Sequence, residues 1–143
     1  MRAVCVMLFL VTGFAGCRNS HSLLQPRHVE APEYDRVAHL AHIDGHIVVT
    51  AAIDANGAVI ETRATGQPML AKSAMENLRH WTFEKPRRSP WEQSIVYDYR
   101  LEGVGGCDVS GSFVIFDFPG HVTIVARPVE TCDPISTIPK PGD

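Results

Sequence analysis

The chain has 143 residues, of which 45% are hydrophobic, and its formal net charge is −3. This length and composition suit one globular domain with a single modest core. The mildly acidic balance gives no electrostatic reason to expect a nucleic-acid partner, and the net charge alone does not favour binding to a membrane surface.

The beginning of the chain predicts an export signal. One arginine precedes an apolar run from Ala3 to Phe14, which is too short to span a bilayer but suits a secretory signal. The run ends in Phe-Ala-Gly before Cys17, which resembles the lipobox of bacterial lipoproteins. We expect residues 1–16 to be removed, Cys17 to be acylated, and the protein to lie in the periplasm or cell envelope. Cleavage near Ala15 or Gly16 without acylation is the alternative.

Residues 17–31 are predicted to be a tether between the anchor and the domain. The segment is polar, is punctuated by proline and shows no sustained hydrophobic period. Fully extended, it would reach on the order of 50 Å. The folded domain is expected to begin at Pro32.

A short helix and a β-hairpin are predicted next. Tyr34 to His42 has apolar residues at helical spacing, and Gly45 can end the helix. Two β-rich runs then flank an Asn-Gly pair in the loop from Asp54 to Gly57. A four-residue loop places Val49 opposite Thr62, with small or apolar groups on one face. The other face takes His46, Val48, Thr50, Glu61 and Arg63.

The clearest helix begins near Pro68 and ends near Trp81. Its apolar residues recur at intervals of three and four and form one stripe, which should cover the apolar face of the hairpin. The stripe contains Leu70, Ala71, Ala74, Met75, Leu78 and Trp81. Because no nucleophile or carboxylate accompanies Trp81 and Phe83, we interpret this aromatic segment as packing rather than as a catalytic site.

A third strand is predicted from Gln93 to Leu101. Ile95, Tyr97, Tyr99 and Leu101 alternate inward, and Val96, Asp98 and Arg100 alternate outward. A helix that returns along the sheet makes this strand antiparallel to the first strand, so the order is second, first, third. The fold class is therefore α+β, a small antiparallel sheet covered on one face by helices, with the third strand near an edge.

Residues 32–101 resemble the C-terminal domain of TonB, the periplasmic end of the energy transducer for outer-membrane transport. The family pattern has a Tyr before an Ala-containing helix, a Gly before the first strand and an Asp and Gly at the hairpin. Along the second helix it has Leu, Ala, a hydrophobic residue, Trp and Phe. The matching residues are Tyr34, Ala38, Gly45, Asp54, Gly57, Leu70, Ala74, Leu78, Trp81 and Phe83.

The resemblance implies that the third strand pairs, by strand addition, with an extended segment of a TonB-dependent outer-membrane transporter. The implied partner-binding strand is Gln93, Ser94, Ile95, Val96, Tyr97, Asp98, Tyr99, Arg100 and Leu101. A role in energy transduction or transport would follow. However, TonB proteins that pull on transporters have an uncleaved anchor and a long Pro-rich spacer, which differ from the signal and tether predicted here.

Residues 102–143 are predicted to add a second hairpin centred on Pro119-Gly120. That centre pairs Phe113 with Ala126 and places Cys107 opposite Cys132, which predicts a disulfide in an oxidising compartment. Because this hairpin follows the third strand closely, it could occupy that strand's edge. The alternative function is then a structural or scaffold envelope lipoprotein whose sheet edge is covered by its own hairpin.

Three histidines raise the question of a metal site. His39, His42 and His46 lie close together, with Asp44 as the nearby carboxylate. Gly45 redirects the chain between the last two histidines, and exposed histidines on a polar helix face are common. We therefore favour solvated or capping histidines and expect no metal, no cofactor and no enzymatic activity.

Overall fold

The computed structural model describes residues 23–107 and 111–130, which form a mixed α+β fold. A five-stranded sheet has the order β3-β2-β5-β7-β6, and β1 and β4 form a separate two-stranded sheet. In the large sheet β5 and β7 are parallel, and the other neighbours are antiparallel. The elements are β1 (Pro26–His28), α1 (Arg36–Leu40), β2 (Gly45–Ile53), β3 (Val59–Thr65), α2 (Pro68–Arg79), β4 (Thr82–Phe83), β5 (Trp91–Leu101), β6 (Phe113–Asp117) and β7 (His121–Ala126).

The loop between β2 and β3 is organised by Asp54. Its carboxylate accepts hydrogen bonds from the backbone N–H groups of Asn56 (2.8 Å) and Ala58 (2.9 Å). Gly57 has a φ of 91°, and its carbonyl accepts a 2.8 Å hydrogen bond from the backbone N–H of Phe83. This turn therefore joins the hairpin to the segment that leaves α2.

The predicted pairing of β2 with β3 is wrong by two residues. Val49 lies opposite Ala64 rather than Thr62. One residue of this shift comes from the turn, which is one residue longer than predicted, and the other comes from a bulge between Ala52 and Ile53 that adds a residue on the β3 side. Side chains alternate with a period of two, so the β3 residues beyond the bulge keep their predicted faces, whereas Ile60, in the bulge, is 62% exposed.

Helix α2 covers the apolar face of this hairpin, as predicted. Pro68 is its first residue, where a missing N–H costs nothing. The helix contacts β2 and β3. Its buried residues are Leu70, Ala71, Ala74 and Leu78.

Trp81 and Phe83 are core residues, which confirms the packing interpretation of this aromatic segment. Each is only 1% exposed. The Trp81 indole N–H donates to the carbonyl of Glu30 (3.0 Å), and its ring centre lies 6.0 Å from Phe116 and 6.1 Å from Phe118. Burying each ring contributes roughly 2 to 3 kcal/mol. Trp81 therefore joins α2, the N-terminal segment and the C-terminal hairpin.

Much of the predicted tether lies against the domain. β1 pairs with β4, and the carbonyl of Glu30 also accepts a 3.0 Å hydrogen bond from Asn77. The N–H of Leu24 donates to Gln93 Oε1 (2.7 Å), and Gln93 Nε2 donates to the carbonyl of Leu24 (3.1 Å). These bonds make the segment from Leu23 part of the fold, whereas residues 17–22 lie outside the described residues.

The prediction that the third strand lies at an edge is wrong. β5 has β2 on one side and β7 on the other, with Val96–Leu101 opposite His121–Ala126. Val122 and Ile124 of β7 are fully buried and extend the apolar face of β5. The more apolar strand of the hairpin therefore takes the inner position.

The C-terminal hairpin is also shifted from its predicted register. Phe113 lies opposite Val125 rather than Ala126. A shift of one residue moves every β7 side chain to the other face, so Ile124 packs in the core instead of sharing the exposed face of Ile115. The hydrophobic pattern could not locate the centre of this turn, because β6 and β7 are both apolar on both faces.

Candidate binding edges of the sheet

The edge of β5 is occupied by the chain itself. The N–H of Val96 donates to the carbonyl of Gly120, and the N–H of Glu102 donates to that of Ala126, each at 2.9 Å. Backbone groups alternate in direction along a strand, so the intervening even-numbered N–H groups also face β7. An extended partner segment would have to displace β7 to pair with β5 over Val96–Leu101.

The structure places the predicted partner-binding residues within one strand but directs most of them inward. The side chain of Gln93 accepts a hydrogen bond from the backbone N–H of Leu24. The Ser94 hydroxyl shares a 2.8 Å hydrogen bond with the Thr50 hydroxyl on the open face. Leu101 is half-buried at the end of the strand. The fully buried members are Ile95, Tyr97 and Tyr99.

Asp98 was predicted to point outward from the third strand, but its carboxylate is engaged internally. It lies on the open face, yet its side chain is only 3% exposed. Arg100 Nε donates to it at 2.7 Å, and His46 Nδ1 lies 3.1 Å away. The hydrogen bond that Arg100 donates to Asp98 raises the pKa of Arg100. These contacts hold the side chains of Asp98 and Arg100 in place on the open face of β2 and β5.

Tyr34 and the two tyrosines of β5 serve packing. The Tyr97 hydroxyl donates to Asn77 Oδ1 at 3.0 Å, and the Tyr34 hydroxyl donates to the carbonyl of Ile43 at 2.8 Å. Burial raises the pKa of Tyr99 to about 12, with a smaller contribution from Asp35. A phenol that ionises so reluctantly is not poised as a base at neutral pH.

The outer edge of β6 is the apolar free edge of the sheet in the described part of the chain. Since the even-numbered residues of β7 face β5, its odd-numbered residues bond to β6, and the N–H groups of Val114 and Phe116 point outward. Phe113 is 56% exposed and Ile115 is 52% exposed. This edge offers both backbone groups and apolar side chains to a partner.

The other outer strand, β3, is less suited to hold an extended partner. Its open-face residues Glu61 and Arg63 are charged, and Arg63 donates to Glu92 at 2.7 Å. Charged side chains on an edge strand are a common protection against pairing with foreign strands. The two edges therefore differ in chemistry, and β6 is the more receptive.

Two of the three histidines considered as metal ligands bind the segment that follows β7. His39 Nε2 donates to the carbonyl of Arg127 at 2.6 Å, and His42 Nε2 donates to that of Val129 at 2.7 Å. Among residues 23–107 and 111–130, no three potential ligands are grouped to hold a metal ion. The prediction of solvated or capping histidines is wrong for His39, which is only 3% exposed. The carbonyls that these two residues bind lie almost ninety residues away and could not be identified from spacing.

Cys107 is disulfide-bonded. The predicted partner, Cys132, and the predicted acylation site, Cys17, lie outside the described residues. The chain near Cys107 does not continue the hairpin ladder, because Gly106 forms an isolated parallel bridge with Val129. The cross-strand geometry behind the prediction therefore does not extend to Cys107.

The chain matches no family model, and a search of curated proteins finds no relative. In the described residues, no helix is long and apolar enough to cross a membrane. The geometry of the sheet edges is therefore the main guide to function.

Proposed function

We propose that this chain is a non-enzymatic protein-binding module of the cell envelope, with a TonB C-terminal-like core and a lipid anchor at Cys17. Its partner, in extended form, adds to the outer edge of β6. The observation that carries this proposal is the outer edge of β6, which no strand of residues 23–107 and 111–130 pairs with and where outward backbone groups lie beside exposed Phe113 and Ile115. The resemblance makes a TonB-dependent outer-membrane transporter the first partner to test.

The core supports the proposed relationship. The order β3-β2-β5 and the position of α2 across it follow the arrangement expected from the resemblance. Trp81 and Phe83 are buried where the helix gives way to the sheet. The added hairpin is what changes the available edge.

Strand addition at β5 is disfavoured while the hairpin is docked. Displacing β7 would expose Val122 and Ile124, each fully buried, at a cost of roughly 1.5 to 3 kcal/mol per side chain. It would also break the backbone bonds between the two strands. The free edge of β6 can be used without this cost.

The second candidate is a scaffold lipoprotein whose sheet accepts no foreign strand. The observation that favours it is the parallel pairing of β7 with β5, which covers the edge implied by the resemblance. In this case the exposed residues of β6 would not contact an extended partner.

Site-specific photo-crosslinking in cells separates these candidates. A crosslinker at Ile115 on β6 should capture a partner, whereas one at Ser94 on β5 should not. Val114→Pro removes an outward N–H and should abolish the Ile115 crosslink, while Val114→Ala shortens the same side chain and should retain it.

Each outcome assigns the edge. A crosslink at Ser94 that survives Val114→Pro would indicate strand addition at β5 and overturn the proposal. The absence of any partner at both positions would support the scaffold. Far-ultraviolet circular dichroism and urea denaturation of the proline variant establish that the sheet remains folded.

A further inference from the structure

The loop between β4 and β5 forms one exposed surface with the first described residues. The N–H of Glu84 donates to the carbonyl of Gln25 at 2.9 Å, so the N-terminal segment runs beside the loop. Between them lies a groove of about 330 Å³. Its lining consists of Leu23, Leu24, Glu84, Lys85, Arg87 and Trp91.

This surface, which we call the basic loop patch, is cationic although the chain as a whole is acidic. The loop from Glu84 to Trp91 contains Lys85, Arg87 and Arg88 against a single carboxylate. The Arg88 guanidinium lies 5.4 Å from the centre of the half-buried Trp91 ring. The next carboxylate along the chain, on β5, is already paired with an arginine of β3. The patch therefore presents positive charge beside an indole.

Exposed apolar side chains border the same patch. Leu23 is 40% exposed, and its methyl group lies against Gly120 in the turn of the C-terminal hairpin. Phe118, in that turn, is 42% exposed. Basic residues combined with Trp and exposed apolar groups are typical of surfaces that rest on a membrane interface.

The short segment between Cys17 and Leu23 limits where a lipid anchor on Cys17 would lie. Six residue steps separate Cys17 from Leu23, so their Cα atoms are at most about 22 Å apart. This is less than half the reach expected when residues 17–31 were taken as a free tether. An acyl chain on Cys17 must therefore enter the bilayer close to the basic loop patch.

We propose that the basic loop patch docks the domain on the anionic phospholipid surface in which Cys17 is anchored. Lys85, Arg87 and Arg88 bind headgroup phosphates, and Trp91 and Leu23 enter the interface. This inference rests on the proposed anchoring at Cys17 and adds an orientation. The basic end of the sheet faces the lipid, while the rest of the acidic chain points away from it.

Vesicle flotation tests the patch independently of acylation. The full chain carrying Cys17→Ser should bind vesicles containing phosphatidylglycerol more tightly than vesicles of phosphatidylcholine alone, and added salt should release it. Each basic residue near an anionic surface contributes roughly fivefold to binding. Arg87→Gln with Arg88→Gln should therefore weaken binding about 25-fold.

A matched control removes two positive charges from the opposite half of the domain. Arg36 is exposed at the start of α1, two residues after Tyr34, whose ring packs edge-on against Tyr99 near the far end of β5. Lys72 is exposed in the first half of α2. Arg36→Gln with Lys72→Gln should change binding less than twofold. Brominated phosphatidylglycerol should quench the fluorescence of Trp91, and Trp91→Phe should remove that quenching.

Three results would overturn the inference. They are equal binding to both kinds of vesicle, equal effects of the two double variants, and fluorescence that brominated lipid does not quench. A dimer that Arg87→Gln and Arg88→Gln dissociate would instead assign the patch to a second copy of the chain. Membrane fractionation of the unaltered chain and of Cys17→Ser tests the anchor separately, so failure of the patch and failure of the anchor remain distinguishable.

Discussion

Hydrogen exchange offers the sharpest test of the occupied β5 edge. The N–H groups of Val96 and Asp98 face β7, whereas those of Val114 and Phe116 face outward from β6. In the native protein we expect the first pair to be strongly protected and the second pair to exchange rapidly. Exchange of the β5 groups should require opening of the C-terminal hairpin.

Phe116→Ala should weaken this docking by a measurable amount. The Phe116 ring stacks on Phe118 at 5.2 Å and packs on Trp81, but it is only half-buried. Truncation of a fully buried Phe costs about 3 to 5 kcal/mol, so a cost of about 2 kcal/mol is reasonable here. If exchange proceeds through hairpin opening, the N–H groups of Val96 and Asp98 should exchange roughly 30-fold faster.

Ile115→Ala is the matched control, because Ile115 lies on the exposed face of the same strand. Its cost should be below about 1 kcal/mol, and the same amides should change less than fivefold. Amides of β2 that bond to β3 should be unaffected in both variants. If Val96 and Asp98 exchange as fast as Val114 in the native protein, the β5 edge is open in solution and our reasoning fails.

Three further predictions concern stability. Gln93→Ala leaves both backbone groups of Leu24 without their partner and should cost about 2 to 3 kcal/mol, with faster proteolysis of the N-terminal segment; equal proteolysis would contradict this. Gly57→Ala places a Cβ at a positive φ and against a backbone oxygen, so it should lower the free energy of unfolding by more than about 3 kcal/mol. Gly103→Ala has a similar φ but open space around the Cβ, so in urea denaturation it should cost only about 1 to 2 kcal/mol. Burial raises the pKa of Tyr99 from 10.0 to about 12, so this phenol ionises more readily in the unfolded chain than in the folded one. The free energy of unfolding should therefore be constant below pH 10 and fall between pH 10 and pH 12, and the absorbance of the Tyr99 tyrosinate should appear only on unfolding.

The core could be predicted from the sequence because its signals are local. The stripe of α2 has a period that only a helix satisfies, and an Asn-Gly pair marks the turn before β3. The inward row of β5 follows from strict alternation. The predicted register of β2 and β3 was wrong because neither the bulge nor the extra residue of the turn leaves a clear mark in the pattern.

The edges of the sheet could not be predicted because they depend on long-range pairing. Nothing in the alternation of β5 states which strand lies beside Val96, and a hairpin that is apolar on both faces fits more than one register. Similarly, the bonds from His39 and His42 join residues that are distant in sequence. For this reason the sequence pattern predicted the binding edge on β5, whereas the structure makes β6 the candidate edge.

The inner position of β7 has a consequence for how the protein acquires its structure. β5 leaves the ribosome about twenty residues before its parallel neighbour, so the incomplete chain contains an unpaired central strand. Parallel pairing over this separation forms slowly, since loop closure precedes any stabilising contact. A chain truncated before His121 would keep that strand open and should aggregate, whereas one that ends after Ala126 can complete the sheet.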